Sequence, residues 1–176
     1  MMNFHDILET GDYQNGIVNT VIEIPKGSVL KLEYEAERGC FFVDRVEPSI
    51  FPKPANYGFI PKTLDEDGDA LDTLVVTVEP VPTGAVMEVK ILGVLNFEDD
   101  GEMDYKIICV ASDDRTENKR LESLDDLGEQ WKKEVEFHFN HYKDLKKPGT
   151  TKVLGYGDAE EAKKIIAESI ERWNNK

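Results

Sequence analysis

Asp67-Gly68-Asp69-Ala70-Leu71-Asp72-Thr73-Leu74-Val75-Val76-Thr77-Val78 joins an acidic turn to a short apolar run. The same alternation of polar turn and brief Val/Ile-rich segment recurs along the chain. Val18 to Ile24, Leu30 to Tyr34, Cys40 to Arg45, Thr73 to Val78, Val86 to Leu95 and Lys106 to Ala111 have the length and β-branched content of strands and are bounded by Gly, Pro or acidic residues. Lys152 to Tyr156 is a further short candidate, and Glu79 to Gly84 reads as a connection between strands. Two later segments carry the helical period. From Ser123 onward, Leu124, Leu127, Trp131, Val135, His138, Tyr142 and Leu145 recur every three or four residues, with Ser123 and Asp126 as a cap. From Asp158 to Trp173 the stripe is Ala162, Ile165, Ile166, Ser169, Ile170 and Trp173, capped by Asp158 with Glu161. Strands first and helices last predict an α+β, mainly β protein: a β-barrel or strongly curved sheet with helices packed outside.

At 176 residues the chain supports one well-filled core, and a single domain over 1–176 is expected. Apolar residues make up 40% and charged residues 32%, ordinary for a globular protein. No uninterrupted apolar stretch approaches the ~20 residues of a membrane helix. Met1 to Gly16 lacks the basic-then-apolar pattern of a secretory signal. Cys40 and Cys109 sit in apolar strand-like runs and read as small buried hydrophobes in a reducing compartment, so the expected location is cytoplasmic. The net charge of −15, from 36 acids against 21 bases, argues against nucleic acid as a partner. It leaves room for a small phosphorylated substrate, because bound metal ions reverse the local field.

The three carboxylates around Gly68 repel one another; at an effective dielectric near 20, two charges ~4 Å apart cost about 4 kcal/mol. Such a loop is either fully solvated or built around a cation, and hard divalent ions with a preference for oxygen suit it. An EF-hand is excluded: counted from Asp65, glycine falls fourth and the twelfth position is Val76. A second acidic turn, Asp99-Asp100-Gly101-Glu102-Met103-Asp104, precedes Tyr105-Lys106. Alone it reads as a solvated hairpin turn. Paired with the first, it suggests two loops meeting at one mouth of a barrel to hold two or more Mg²⁺ ions. Lys31, Arg45, Lys106 and Lys143 lie in or at the ends of candidate elements; each taken alone reads as a surface base. His5, His138 and His141 are scattered and read as structural or exposed.

Glu23-Ile24-Pro25-Lys26-Gly27-Ser28, Lys31 with Glu33, Asp44-Arg45, Pro54-Ala55-Asn56-Tyr57-Gly58-Phe59-Ile60, the Asp67-to-Asp72 loop, Asp99 to Lys106, and His141-Tyr142-Lys143-Asp144-Leu145 occur in that order. Together they resemble the soluble family I inorganic pyrophosphatases of the compact prokaryotic type, from about Thr20 to the C-terminus. The resemblance implies an OB-like five-stranded β-barrel flanked by two α-helices. It also implies Mg²⁺-dependent hydrolysis of pyrophosphate to two phosphates, several ions per site with Mn²⁺ or Zn²⁺ as substitutes, and a homo-oligomer, expected to be a hexamer. Asp67, Asp72 and Asp104 match metal ligands of the main site, Asp99 a ligand for metal arriving with substrate, and Glu23 a metal-water contact. Asp69 matches the residue that takes the proton from the attacking water. Lys31, Arg45, Tyr57, Lys106, Tyr142 and Lys143 match groups that grip phosphate oxygens, and Glu33 a polar support. A non-catalytic metal- and phosphate-binding protein on the same barrel is the alternative; an OB-type oligonucleotide-binding module is disfavoured by the charge and by the lack of a basic, aromatic-studded groove.

The chain departs from the family pattern twice. Lys53 stands where the family usually has Tyr, which predicts a contact with a carboxylate or phosphate and a pH–rate profile that moves in Lys53→Tyr. Ala70 stands where the family usually has Pro, which predicts a less preorganised acidic loop and weaker metal binding.

Overall fold

The computed structural model describes residues 3–115 and 121–176; Met1 and Met2, which open the segment read as carrying no signal, lie outside them. The barrel is built from β1 (Ile17–Ile24), β4 (Asn56–Phe59), β5 (Asp72–Val76), β8 (Lys106–Ala111) and β6 (Val86–Asp99), hydrogen-bonded in that order, with β6 returning to β1. Only β5 and β8 run parallel within this ring. Closure gives every strand of the ring two partners, the way a small sheet removes its edges. This is the OB-like five-stranded barrel.

β6 serves four neighbours because it bends. Register shifts at Ile91/Gly93 and Asn96/Phe97 let it pair with β1 and β8, and further along with β7 (Glu102–Met103) and β9 (Thr151–Asp158). A Cβ at Gly93 would lie 2.3 Å from Leu124 Cδ1 and 2.4 Å from the Gly157 carbonyl oxygen, so the bend needs glycine. The β6–β7 turn is Asp100-Gly101, with φ of 52° and 91°, the left-handed pair that suits the twist of a two-residue hairpin. Beside the barrel, β2 (Leu30–Glu35) and β3 (Cys40–Val46) form a separate two-stranded ribbon.

β4 escapes the sequence pattern because it is short and carries Gly58 in its interior. The glycine is required: a Cβ there would stand 2.1 Å from the Val21 carbonyl oxygen of the paired strand. β6 runs four residues past its expected end at Leu95, and β7 forms inside the segment read as a turn; the other strands run close to their expected spans.

The apolar runs are continuous because both faces of the sheet are covered. Along β8, Ile107 and Cys109 join the cluster that holds Ala162, Ile165 and Ile166 of α3 (Ala159–Asn174). Ile108 and Val110 join the other, with Val135, Phe139 and Tyr142 at α2 (Glu129–His141). Asp158 caps α3 by accepting from the Glu161 amide at 2.9 Å, while the Glu161 carboxylate accepts from Asn96 and does not complete a box. The Ser123–Asp126 cap closes a 3-10 turn over Leu124–Leu127, and α2 starts afresh after Gly128, whose φ of 81° interrupts the expected single helix. Leu145, expected on the buried stripe, is 70% exposed beyond the helix end. A four-residue helix, α1 (Phe4–Ile7), precedes β1.

Both cysteines are free; Cys109 is buried as expected, but Cys40 is exposed because β3 lies outside the barrel. No helix among the described residues is long and apolar enough to cross a membrane.

Candidate active site

One cleft of about 730 Å³ gathers every acid, base and tyrosine given a site role in the sequence. Glu23 comes from β1, Lys31 and Glu33 from β2, Arg45 from β3 and Tyr57 from β4. Asp67 and Asp69 lie on the loop into β5, Asp72 starts β5, and Asp99 ends β6. Asp104 precedes β8, Lys106 starts it, and Tyr142 and Lys143 follow α2. Lys53 lies between β3 and β4.

Strand register sets the centre. Asp72 and Lys106 are direct partners in the parallel β5–β8 pair. The Lys106 ammonium, 2% exposed, lies 2.5 Å from Asp72 Oδ2 and also donates to Asp104 Oδ1, and Tyr57 Oη donates to Asp72. Burial pulls the Lys106 pKa down, but the two carboxylates outweigh it and hold the ammonium charged. Asp72 is pushed up, by burial first and then by Asp104 against the opposing pull of Lys106. Burial also pushes Asp67 up.

At one side Lys143 Nζ lies 2.6 Å from Asp99 Oδ2, and Tyr142 Oη donates to the same carboxylate at 3.3 Å. On the ribbon, Lys31 and Arg45 are cross-strand partners. Lys31 pairs with Glu33 at 2.5 Å, and Arg45 with Asp44 and Glu47 at 2.7 Å each. Tyr57 and Tyr142 are both raised by burial and so remain neutral phenols.

Glu23, 9% exposed, accepts from the Tyr34 amide at 2.7 Å. Burial, then Asp72, pushes its pKa from 4.5 to about 8, with the Tyr34 amide opposing. The unfolded chain sheds this proton near 4.5 and the folded chain keeps it to about 8, so stability falls as pH rises through that window. At about 1.4 kcal/mol per unit the penalty amounts to a few kcal/mol. With divalent ions chelated, the protein is expected to melt lower at pH 8.5 than at pH 5.5, and Glu23→Gln to flatten that slope. Equal slopes in thermal melts of the two proteins would contradict it.

The donor set is all oxygen and suits a hard divalent cation. As the side chains are placed, no three acids among the described residues stand close enough to grip one ion; Lys106 stands between two of them. Asp67 and Asp69 are exposed, and the Asp69 amide donates to Asp67 Oδ1 at 3.0 Å. The carboxylates raised by burial and mutual repulsion are those a bound cation would relieve, so the residues fit a metal.

Several supports were not singled out in the sequence. Asp65, 3% exposed, pairs with Arg172 of α3 at 3.3 Å and accepts from the Tyr105 amide at 3.1 Å. It ties the acidic loop to the helix and to the segment carrying Asp104. Thr63 Oγ1 donates to the Ile60 carbonyl and accepts from the Leu71 amide. His5 is stacked between Phe59 and Trp173, accepts from the Lys62 amide at Nδ1, and lines the mouth of the cleft. Asp65 lay within the acidic run; Arg172, 107 residues away, had no local signal.

A family model described as inorganic pyrophosphatase matches residues 20–174. The inorganic pyrophosphatase of Neisseria meningitidis serogroup A is 59% identical over 174 residues, covering 99% of this chain and 98% of that protein. The inorganic pyrophosphatase of Haemophilus influenzae is 55% identical over 176 residues, the full length of both. The crystal structure of an inorganic pyrophosphatase from Neisseria gonorrhoeae superposes with a TM-score of 0.96 at 57% identity, covering 98% of this chain and 99% of that one. These likenesses do not favour a binding protein without turnover. The chain belongs to the inorganic pyrophosphatase family, metal-dependent enzymes that hydrolyse pyrophosphate.

Proposed function

We propose that residues 1–176 form one pyrophosphatase domain whose cleft hydrolyses Mg²⁺-pyrophosphate to two phosphates. The observation that carries the reading is the convergence, in one cleft, of acids from two separate turns with cations from separate strands and loops. Asp67, Asp72 and Asp104 would hold metal at the main position, Asp99 would ligate an ion accompanying substrate, and Glu23 would orient water beside them. When bound, Mg²⁺ cancels substrate charge and lowers the pKa of the attacking water, with Mn²⁺ or Zn²⁺ as substitutes. Asp69, exposed at the mouth, takes the water's proton. Lys31, Arg45, Lys106 and Lys143 donate to phosphoryl oxygens, and Tyr57 and Tyr142 donate from their neutral hydroxyls. These cations stabilise charge on the departing phosphate, the electrostatic share of phosphoryl transfer. Glu33 keeps Lys31 in place.

Phosphate release from Mg²⁺-pyrophosphate, abolished by a chelator and restored by Mg²⁺, is the test; binding of metal and phosphate without release would overturn the reading. The free thiols support a cytoplasmic location. Exposed Phe42, Val43, Val46 and Ile50 support self-association, and a hexamer is expected in sedimentation.

The Ala70 amide donates to no group among the described residues, so proline there removes no hydrogen bond. Ala70→Pro is expected to bind Mg²⁺ about twofold to fivefold more tightly by restricting the free loop. A calorimetric titration with unchanged affinity would show the loop already ordered.

A further inference from the structure

Lys53 does not make the carboxylate contact its position suggested. Its side chain is 7% exposed, and Nζ lies over the rings of Tyr57, Tyr142 and Phe139 at 4.7, 5.4 and 5.9 Å from their centroids. Among the described residues no Asp or Glu oxygen comes within ion-pair distance of it, whereas four other cations that line the cleft are already engaged. Lys31 holds Glu33, Arg45 holds Asp44 and Glu47, Lys106 holds Asp72 and Asp104, and Lys143 holds Asp99. An anion reaching any of those shares the cation with a carboxylate; at Lys53 it meets only the ring faces. Nearby His138 supplies no counter-charge. It stacks on Tyr142, its Nε2 has no hydrogen-bond partner, and burial, with Lys53 adding to it, keeps the imidazole neutral. A buried ammonium without a counter-ion is unfavourable until an anion arrives.

We propose that Lys53 is a direct contact for a phosphoryl oxygen of the bound diphosphate, a cation this cleft holds in reserve beyond those paired with its own acids. The inference rests on the pyrophosphatase reading of the site. Burial first, then Lys106, lowers the Lys53 pKa to about 8; Glu47 and Asp72 act the other way, and Lys31 adds to the lowering. The other titratable groups packed around it, Tyr57, Tyr142 and His138, are all neutral near pH 7. The free amine therefore loses its charge between about pH 7 and pH 9, and its hold on an anion should fade over the same range.

The test is calorimetric binding of methylenediphosphonate, a diphosphate that cannot be hydrolysed, at saturating Mg²⁺. Lys53→Met is expected to bind it about tenfold more weakly than wild type at pH 7, the size of one lost charge-assisted hydrogen bond. The gap should narrow at pH 9, since comparing the two proteins cancels the ligand's own titration. Lys53→Gln, read the same way, serves if methionine disturbs packing. Affinities within twofold at pH 7, or a gap unchanged at pH 9, would overturn the contact. Wild-type phosphate release is measured alongside. Turnover without a Lys53 effect rejects this contact alone, and absent turnover rejects the pyrophosphatase reading.

Discussion

Asp67→Asn/Asp72→Asn/Asp104→Asn is expected to release phosphate from Mg²⁺-pyrophosphate about 10³-fold more slowly than wild type, or worse. Each tenfold corresponds to 1.36 kcal/mol of barrier, and metal assistance to phosphoryl transfer is worth several kcal/mol. The triple variant also strips Lys106 of both its counter-charges, so loss of activity has to be separated from loss of fold. Asp67→Asn makes the separation. Asp67 is exposed and its one described side-chain hydrogen bond is to the Asp69 amide of its own loop, which asparagine retains. This single variant should melt as wild type does while binding Mg²⁺ more weakly and turning over more slowly. Wild-type turnover in the triple variant would remove the acids from the chemistry altogether.

Lys106→Met should be the most destabilising single change at the site. It leaves Asp72 and Asp104 facing one another in a partly buried centre with no ammonium between them. Breaking a buried pair by removing one partner costs about 3–5 kcal/mol. The sign with pH follows from the acids left behind. Asp72, which burial already raises, would hold its proton more tightly in the fold than in the unfolded chain, so the folded state binds the extra proton and recovers stability as pH falls. Urea unfolding is expected to show most of the deficit at pH 7.5 and little of it at pH 5. A deficit equal at both pH values would assign the loss to packing of the lysine stem against Phe97 and Tyr57, whose rings Nζ overlies at 5.6 and 5.4 Å. Phosphate release should fall as well, because the residue proposed to meet the departing phosphate is gone.

Local chemistry made much of this molecule readable before any coordinates. Short β-branched runs marked the barrel strands, and the Asp100-Gly101 pair marked a hairpin because those residues accept the left-handed backbone it needs. Asp158 marked the start of α3 for the same kind of reason, since a cap acts on an amide three residues away. The reading failed where a distant contact overrode a local preference. β4 carries a glycine that strand propensity disfavours and that the Val21 carbonyl demands. At Gly128 the break is local instead: a positive-φ glycine splits a periodic run into a 3-10 turn and a helix. Cys40 alternates like a core residue but begins a ribbon strand outside the barrel, where it is exposed.

The kinds of residues at the site, and the oxygen-rich turns that carry them, belong to composition and spacing, because ligand hardness and charge are properties of side chains wherever they end up. Which charge faces which is a matter of register. Asp72 meets Lys106, 34 residues later, only because β5 and β8 pair in parallel with those two residues aligned. Arg172 reaches Asp65 only because α3 packs back across the barrel, and Lys53 rests on three rings drawn from β4 and from the C-terminal part and end of α2. Electrostatic partners are chosen by distance in space, and closing a barrel sets those distances through pairings that no single segment encodes.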